Sequence, residues 1–253
     1  MKDNDIIIYR NKYKVDTNNV NFNRKLGLFG TLGLLQDMAG EHANILGFGY
    51  KDMIAGGYFW VLTQQKLKMD RWPDWHDEVE VVTWALPVEG LKAYREFEIF
   101  VDGEKIGQCS TTWMTLDLKS RKPLHPDFIN EKGLVRKDYT VGFNAGRVSL
   151  PDNLKQSGLF TVYNSDIDMN RHVNNTRYTK WILDSIPIEY HSSLILEEFE
   201  INFLSETFLG DNIIIENSES IPLNSESFDI FYSGTRQEDG KKLFAAKLTA
   251  RNK

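Results

Sequence analysis

Apolar and polar residues alternate along several stretches of the chain, as they do in strands with one buried face. Two of these stretches, 96–101 and 228–232, each lead to an Asp-Gly pair, Asp102-Gly103 and Asp239-Gly240. Glycine accepts the positive φ that a tight turn needs, so each pair predicts a β-hairpin. A further strand is expected after each turn, in IGQCSTTWMTLDL and in LFAAKLTAR.

One helix is predicted ahead of the strands in each half of the chain. The first runs from Leu28 to about His42, with apolar residues at helical spacing along one face. The second runs over 175–185, where Asn174 suits the N-cap and Pro187 ends the segment. A helix followed by an antiparallel meander, twice over, indicates an α+β protein.

The two halves also resemble each other. LKMDRWPDWHDEVEV in the first and INFLSETFLGDNIII in the second share an alternating start, a bend and an Asp before a β-branched run. Superposing Asp77 on Asp211 places Trp72 opposite Glu206. We therefore predict an N-terminal domain at 1–135, a linker at 136–157 and a C-terminal domain at 158–253. A single α+β domain with an accidental resemblance between its halves remains the alternative.

Composition narrows the class of protein. The net charge of −6 over 253 residues argues against binding of nucleic acid through phosphate contacts. Cys109 is the only cysteine, which excludes an internal disulfide and a cysteine-based metal site. No apolar stretch approaches the roughly 18 residues of a membrane span, and the first residues lack the features of a secretory signal. We expect a cytoplasmic protein without a membrane span, a bound metal or a cofactor.

The densest polar cluster is SDIDMNRHVNN, at 165–175, directly before the second helix. If it is extended, Asp168, Asn170 and His172 project to the same side, because strand side chains alternate. The backbone N–H groups of Val173 and Asn174, at the start of the helix, are then candidate donors to an oxyanion.

This cluster has three other interpretations. A calcium-binding EF-hand loop is rejected, because Arg171 and Arg177 stand where that loop needs Gly and Glu. A metal site formed by His172 with Asp166 or Asp168 lacks the usual ligand spacing. An Asx-rich turn that only caps the helix remains open.

The run DMNRHVNNTRYTKWILDSIP resembles the signature of the plant and bacterial acyl-acyl carrier protein thioesterases. In that family the signature reads Asp-x-Asn-x-His-Val-Asn-Asn-x-x-Tyr, then Trp-x-Leu-Glu or Asp, then Pro. The segments LGLLQDMAGEHA and WVLTQQKLKMDRWPDWHDEVEVVTW are similar to the amino-terminal half of the family. The resemblance covers about residues 5–250.

This resemblance implies a tandem (double) hot-dog fold, in which each half is a long helix wrapped by an antiparallel sheet. The two halves would then form an internal pseudo-dimer, with a homodimer of whole chains left open. The family's catalytic groups fall on Asp168, Asn170, His172 and Glu206. Many plant members have a cysteine directly after that glutamate, whereas this chain has Thr207, which counts against a thiol mechanism.

The expected activity is hydrolysis of fatty acyl-acyl carrier protein by water that a carboxylate activates, with acyl carrier protein as the partner. An acyl-coenzyme A thioesterase and a hot-dog protein that binds acyl thioesters without cleaving them are the alternatives. The first half lacks the catalytic motif, so it is expected to hold the acyl chain. Candidate wall residues, for which ordinary core packing is the alternative, are Leu28, Phe29, Leu32, Tyr58, Phe59 and Trp60.

Overall fold

A computed structural model describes residues 4–253, with side chains from Ile6 onward. The chain divides into two compact units, Met1–Ala145 and Gly146–Lys253. The boundary falls within the segment 136–157 that the sequence predicts as a linker. Each unit contains one long helix and an antiparallel sheet, so the α+β class is confirmed.

The sheet of the first unit has the strand order β1-β3-β4-β5-β2, and every neighbouring pair is antiparallel. A short strand, β6, pairs with β5. The elements are α1 (Asn4–Ile7), β1 (Ile8–Lys14), α2 (Leu28–Ile45), α3 (Tyr50–Ala55), β2 (Tyr58–Met69), β3 (Glu78–Ala85), β4 (Ala93–Val101), β5 (Glu104–Asp117), β6 (Pro123–Leu124) and α4 (Phe128–Lys132).

Helix α2 contacts β1 and β3 and buries the apolar face that the sequence predicts, including Leu28, Leu32 and Leu35. The helix continues to Ile45, three residues beyond its predicted end. Its last turn also buries His42, whose ring nitrogens lie 2.8 Å from the Ile6 carbonyl oxygen and 2.8 Å from Arg95 Nη1 of β4. A polar contact thus adds to the apolar packing that joins α2 to the sheet.

The sheet of the second unit has the strand order β8-β12-β11-β9-β7, again antiparallel, and a short strand, β10, pairs with β11. The elements are β7 (Lys155–Thr161), a short 3₁₀ helix (Asn164–Asp166), α5 (Asn175–Asp184), α6 (Ile188–Ser193), β8 (Leu194–Phe203), β9 (Asn212–Asn217), β10 (Ile221–Pro222), β11 (Ser227–Arg236) and β12 (Lys242–Asn252).

Both predicted hairpins are confirmed. Asp102 and Gly103 take φ values of 53° and 78° between β4 and β5, and Gly240 takes 69° between β11 and β12. The second hairpin contains a bulge at Gly234, whose missing side chain leaves room for the Phe244 ring. This bulge lies two residues before the end of β11, close to the β11–β12 turn.

The start of α5 is also as predicted, since the Asn174 side chain accepts the Thr176 N–H at 2.9 Å and caps the helix. One face of α5, including Tyr178, Trp181 and Ile182, is buried. Among the described residues, no helix has both the length and the apolar character needed to cross a membrane.

Candidate active site

The loop between β7 and α5 is organised by the carboxylate of Asp166, which is buried. Asp166 Oδ2 accepts the Tyr163 N–H at 2.9 Å, and the Asp166 carbonyl accepts the Asn174 N–H at 2.9 Å. The Arg177 guanidinium lies 3.8 Å from Asp166 Oδ1, so a cation supports the carboxylate from α5. From the sequence, Asp166 is a candidate only for a metal ligand, and its role in holding this loop follows no sequence motif.

Residues 168–172 form a tight turn, so the prediction of an extended segment is wrong. The Asp168 N–H donates to the His172 carbonyl at 2.9 Å, and the Arg171 N–H donates to the Asp168 carbonyl at 3.0 Å. Arg171 has a φ of 63°, and Asp168 Oδ1 accepts the Asn170 N–H at 2.8 Å. Strand alternation therefore does not apply here, and the Asx-type turn that the sequence left open is present.

His172 and Glu206 are brought together from separate elements. His172 Nε2 lies 3.8 Å from Glu206 Oε1, and the two side chains are 25% and 37% exposed, so solvent reaches both. The His172 ring also packs edge-on against Phe208, with 5.4 Å between ring centroids. Asp168 lies at the opposite end of the turn from His172, and its carboxylate is engaged by the Asn170 backbone.

A distance of 3.8 Å is too long for a direct hydrogen bond but suits a shared water. One water oxygen can lie about 2.8 Å from each of two atoms at this separation, because the three atoms then form a triangle. The imidazole and the carboxylate of this pair can therefore orient one water molecule together.

Glu206 lies in the irregular segment between β8 and β9, and the residue after it is firmly held. Thr207 is completely buried, its carbonyl accepts the Val173 N–H at 3.2 Å, and its hydroxyl oxygen accepts the Tyr178 O–H at 2.9 Å. Burial raises the pKa of Tyr178 to about 12, which keeps this hydroxyl protonated as a donor. Thr207 is thus a packing residue in this chain.

The two predicted oxyanion donors are both engaged within the fold. The Val173 N–H donates to the Thr207 carbonyl, and the Asn174 N–H donates to the Asp166 carbonyl. These contacts argue against the predicted role, because a donor already bonded to a backbone carbonyl must lose that bond before it can serve an oxyanion. Asn170, in contrast, is exposed at the tip of the turn.

The candidate acyl-chain residues do not lie on one wall. Tyr58 and Trp60 both contact Phe128, with ring centroids 5.5 and 6.3 Å away. Phe59 faces the other side of β2, where the Arg121 guanidinium lies 4.7 Å from its ring centroid. On α2, Leu28 and Leu32 are buried and Phe29 is half-buried. The acyl-binding role of these six residues stays a prediction.

Cys109 is a buried residue of β5, as the sequence indicates, and its Sγ lies 3.7 Å from Gln65 Nε2. Burial raises the pKa of the thiol to about 12, so it is not a thiolate at neutral pH. Within the part of the chain that the structure describes, no group of three or more His, Cys, Asp or Glu side chains is placed to hold a metal ion.

Comparison with known families gives two matches in chain order. The acyl-ACP thioesterase N-terminal domain matches residues 7–131, and the acyl-ACP thioesterase C-terminal domain matches residues 151–249.

Curated relatives are plant enzymes. The chain is 24% identical over 269 residues to the acyl-[acyl-carrier-protein] hydrolase FATB2 of Cuphea viscosissima. The aligned region covers 98% of this chain and 64% of that protein. It is 27% identical over 206 residues to a palmitoyl-acyl carrier protein thioesterase of Arabidopsis thaliana. This alignment covers 73% of this chain and 48% of that protein. The chain thus spans between about half and two thirds of the length of these relatives.

Among solved structures, an acyl-ACP thioesterase from Bacteroides thetaiotaomicron superposes with a TM-score of 0.86 at 27% identity, covering 99% of this chain and 100% of that one. The 12:0-ACP thioesterase from Umbellularia californica superposes with a TM-score of 0.80 at 20% identity, covering 98% of this chain and 95% of that one, a likeness of fold. The double hot-dog fold that the sequence resemblance implies is confirmed. Because the two matched domains together span most of its residues, the chain belongs to the acyl-ACP thioesterase family.

Proposed function

We propose that this chain hydrolyses the thioester of fatty acyl-acyl carrier protein and releases a free fatty acid and the carrier protein with its thiol. The observation that carries the proposal is the solvent-accessible pair of His172 and Glu206, 3.8 Å apart, in a chain that belongs to this family. Attack of water on a thioester needs a base beside a positioned water. In this pair the Glu206 carboxylate can act as the base, and the two side chains are close enough to orient one water between them.

Glu206 is the general base of the proposed mechanism. Its carboxylate takes a proton from the water shared with His172, and the resulting hydroxide attacks the thioester carbonyl carbon. General-base catalysis of this kind contributes about 10²–10⁴-fold. His172 Nε2 holds the water against the carboxylate. When the C–S bond breaks, the proton that Glu206 took from the water passes through His172 to the departing thiolate, which restores both side chains.

Asn170 is the proposed donor to the developing oxyanion, in place of the Val173 and Asn174 N–H groups. Its side chain lies at the exposed tip of the turn, and an amide N–H donates well to a negative oxygen. A single donor of this kind contributes about 3–4 kcal/mol in comparable sites. Asp168 fixes this tip, since its carboxylate binds the Asn170 backbone N–H.

The substrate class is tested by measuring thiol release by the wild-type protein from acyl-acyl carrier protein and from acyl-coenzyme A, over a series of acyl lengths. Both substrates offer the same thioester on the same phosphopantetheine arm, so any difference between them reports recognition of the carrier. We expect a higher kcat/KM with the carrier protein at every length that is hydrolysed. Equal or faster turnover of coenzyme A thioesters would replace the proposed substrate, and intact thioesters in both series would remove the enzymatic function.

A further inference from the structure

The side chain of Arg236, at the end of β11, reaches the segment that carries Glu206. Arg236 Nη2 donates to the Glu206 carbonyl at 2.6 Å, Nε donates to Asp211 Oδ2 at 2.9 Å, and Nη1 donates to Asp239 Oδ2 at 2.9 Å. We call this group the Arg236 clasp: Arg236, its two carboxylate partners Asp211 and Asp239, and the Glu206 carbonyl. The Arg236 side chain is 12% exposed, so it is largely shielded from competing water.

The clasp joins two separate parts of the second unit. Asp239 belongs to the β11–β12 turn, whereas Asp211 ends the segment between β8 and β9 and also accepts the Phe208 N–H at 3.0 Å. The planar guanidinium directs its N–H groups along fixed directions, so it can hold three acceptors at once. The turn of the hairpin is thereby tied to the backbone on both sides of Thr207.

The segment between β8 and β9 needs contacts of this kind to hold it in place, because Glu206 lies outside the strand ladders that fix β8 and β9. On the α5 side, Thr207 is fixed by the Val173 N–H and by the Tyr178 hydroxyl. On the hairpin side, Arg236 contacts the Glu206 backbone directly. Directly before Glu206, the Leu243 carbonyl accepts the Leu204 N–H at 2.8 Å and the Ser205 N–H at 3.3 Å. Together these contacts fix the backbone from which the Glu206 side chain starts, and hence its distance to His172.

We infer that Arg236 is a positioning residue, which sets the Glu206 carboxylate at its distance from His172 through the Glu206 carbonyl. This inference rests on the proposed role of Glu206 as the base. A lysine at position 236 keeps the positive charge but cannot hold three acceptors in the same directions, so the backbone of Glu206 would be released. A displacement of about 1 Å in a catalytic group can cost about 100-fold in rate.

The test begins with the kinetics of Arg236→Lys against an acyl-acyl carrier protein. We expect kcat to fall about 10–100-fold, with KM changed less than about threefold because the substitution touches no proposed substrate contact. The matched control is Arg251→Lys, where the arginine pairs with Glu197 at 2.9 Å at the end of β12 that lies away from the β11–β12 turn. This control is expected to keep its kcat.

A role in stability alone is separated from positioning by repeating Arg236→Lys in a Glu206→Gln background. If Arg236 acts through the Glu206 carboxylate, adding Arg236→Lys to Glu206→Gln lowers the residual rate less than about twofold. The carboxylate that Arg236 positions is already absent from that background. The same fold loss in both backgrounds would overturn the inference. If Arg236→Lys does not fold, Asp211→Asn weakens the same clasp and is expected to show the same non-additivity with Glu206→Gln.

A crystal structure of Arg236→Lys beside the wild-type protein gives a readout that does not depend on turnover. We expect the distance between His172 Nε2 and Glu206 Oε1 to change by at least about 1 Å. An unchanged distance contradicts the positioning role even in a protein that hydrolyses its substrate. If the wild-type protein cleaves no thioester, the proposed function fails, while the two crystal structures still decide the positioning role.

Discussion

The environment of His42 predicts how the first unit responds to acid. The ring is completely buried, its Nδ1 lies 2.8 Å from Arg95 Nη1, and its Nε2 lies 2.8 Å from the Ile6 carbonyl oxygen. Arginine can only donate and a carbonyl can only accept, so Nδ1 accepts, Nε2 carries the proton and the ring is neutral. Burial, and then the nearby Arg95 cation, lower the pKa of His42 from 6.5 to about 3.

The direction in which the free energy of unfolding changes with pH follows from which state, folded or unfolded, binds the proton more tightly. The pKa of His42 is lower in the folded protein than in the unfolded chain. Its contribution to the free energy of unfolding is therefore complete above about pH 6.5 and is lost as pH falls toward about 3. At pH 5 the unfolded histidine is mostly protonated and the folded one is not. The free energy of unfolding therefore falls by about 2 kcal/mol between pH 7 and pH 5 on account of this residue.

His42→Gln isolates this contribution, because the glutamine amide can accept from Arg95 and donate to Ile6 but cannot take up a proton. We expect its free energy of unfolding to fall about 2 kcal/mol less than that of the wild type between pH 7 and pH 5. Guanidinium chloride unfolding, followed by tryptophan fluorescence at both pH values, measures the difference. The control is the exposed His125→Gln, which should match the wild type. An equal loss of unfolding free energy in His42→Gln and the wild type would contradict a lowered pKa of His42 in the folded protein.

Three further substitutions test the site and its support. Cys109→Ala should leave kcat within about twofold of the wild type, since the buried thiol has no catalytic contact; a large loss in a turnover assay would restore a thiol mechanism. Tyr178→Phe should lower the free energy of unfolding by about 1–3 kcal/mol in denaturant titrations, because the buried Thr207 hydroxyl loses its partner; no change would mean that this contact contributes nothing. Asp168→Asn keeps an oxygen that can accept the Asn170 N–H, so kcat should fall less than about tenfold. A loss near the 10²–10⁴-fold typical of a general base would make Asp168 the base.

Local features of the fold could be predicted from the sequence because neighbouring residues determine them. The Asp-Gly pairs at 102–103 and 239–240 form their hairpins since glycine meets the conformational requirement of the turn wherever the strands pair. Asn174 caps α5 through a hydrogen bond to a residue two positions away. The buried face of α2 likewise follows from its own periodicity.

The details of the site could not be predicted in the same way, because they depend on contacts between distant residues. The pattern Asp-x-Asn-x-His fits a strand as well as a turn, and the choice is made by backbone hydrogen bonds that close between Asp168 and His172. The Val173 N–H appears free in the sequence, but the fold brings the Thr207 carbonyl to it. Arg236 follows no motif, and only the pairing of β11 with β9 and β12 brings it near Glu206.

The central claim is that the carboxylate at position 206 activates the attacking water, and replacing it with an amide tests this directly. Thiol release from acyl-acyl carrier protein should be compared between the wild type, Glu206→Gln and Glu219→Gln, the last of which makes the same chemical change in an exposed ion pair with Lys155. We expect a kcat about 10²–10⁴-fold lower in Glu206→Gln, with wild-type turnover in Glu219→Gln. A Glu206→Gln protein that turns over as fast as the wild type would contradict that claim.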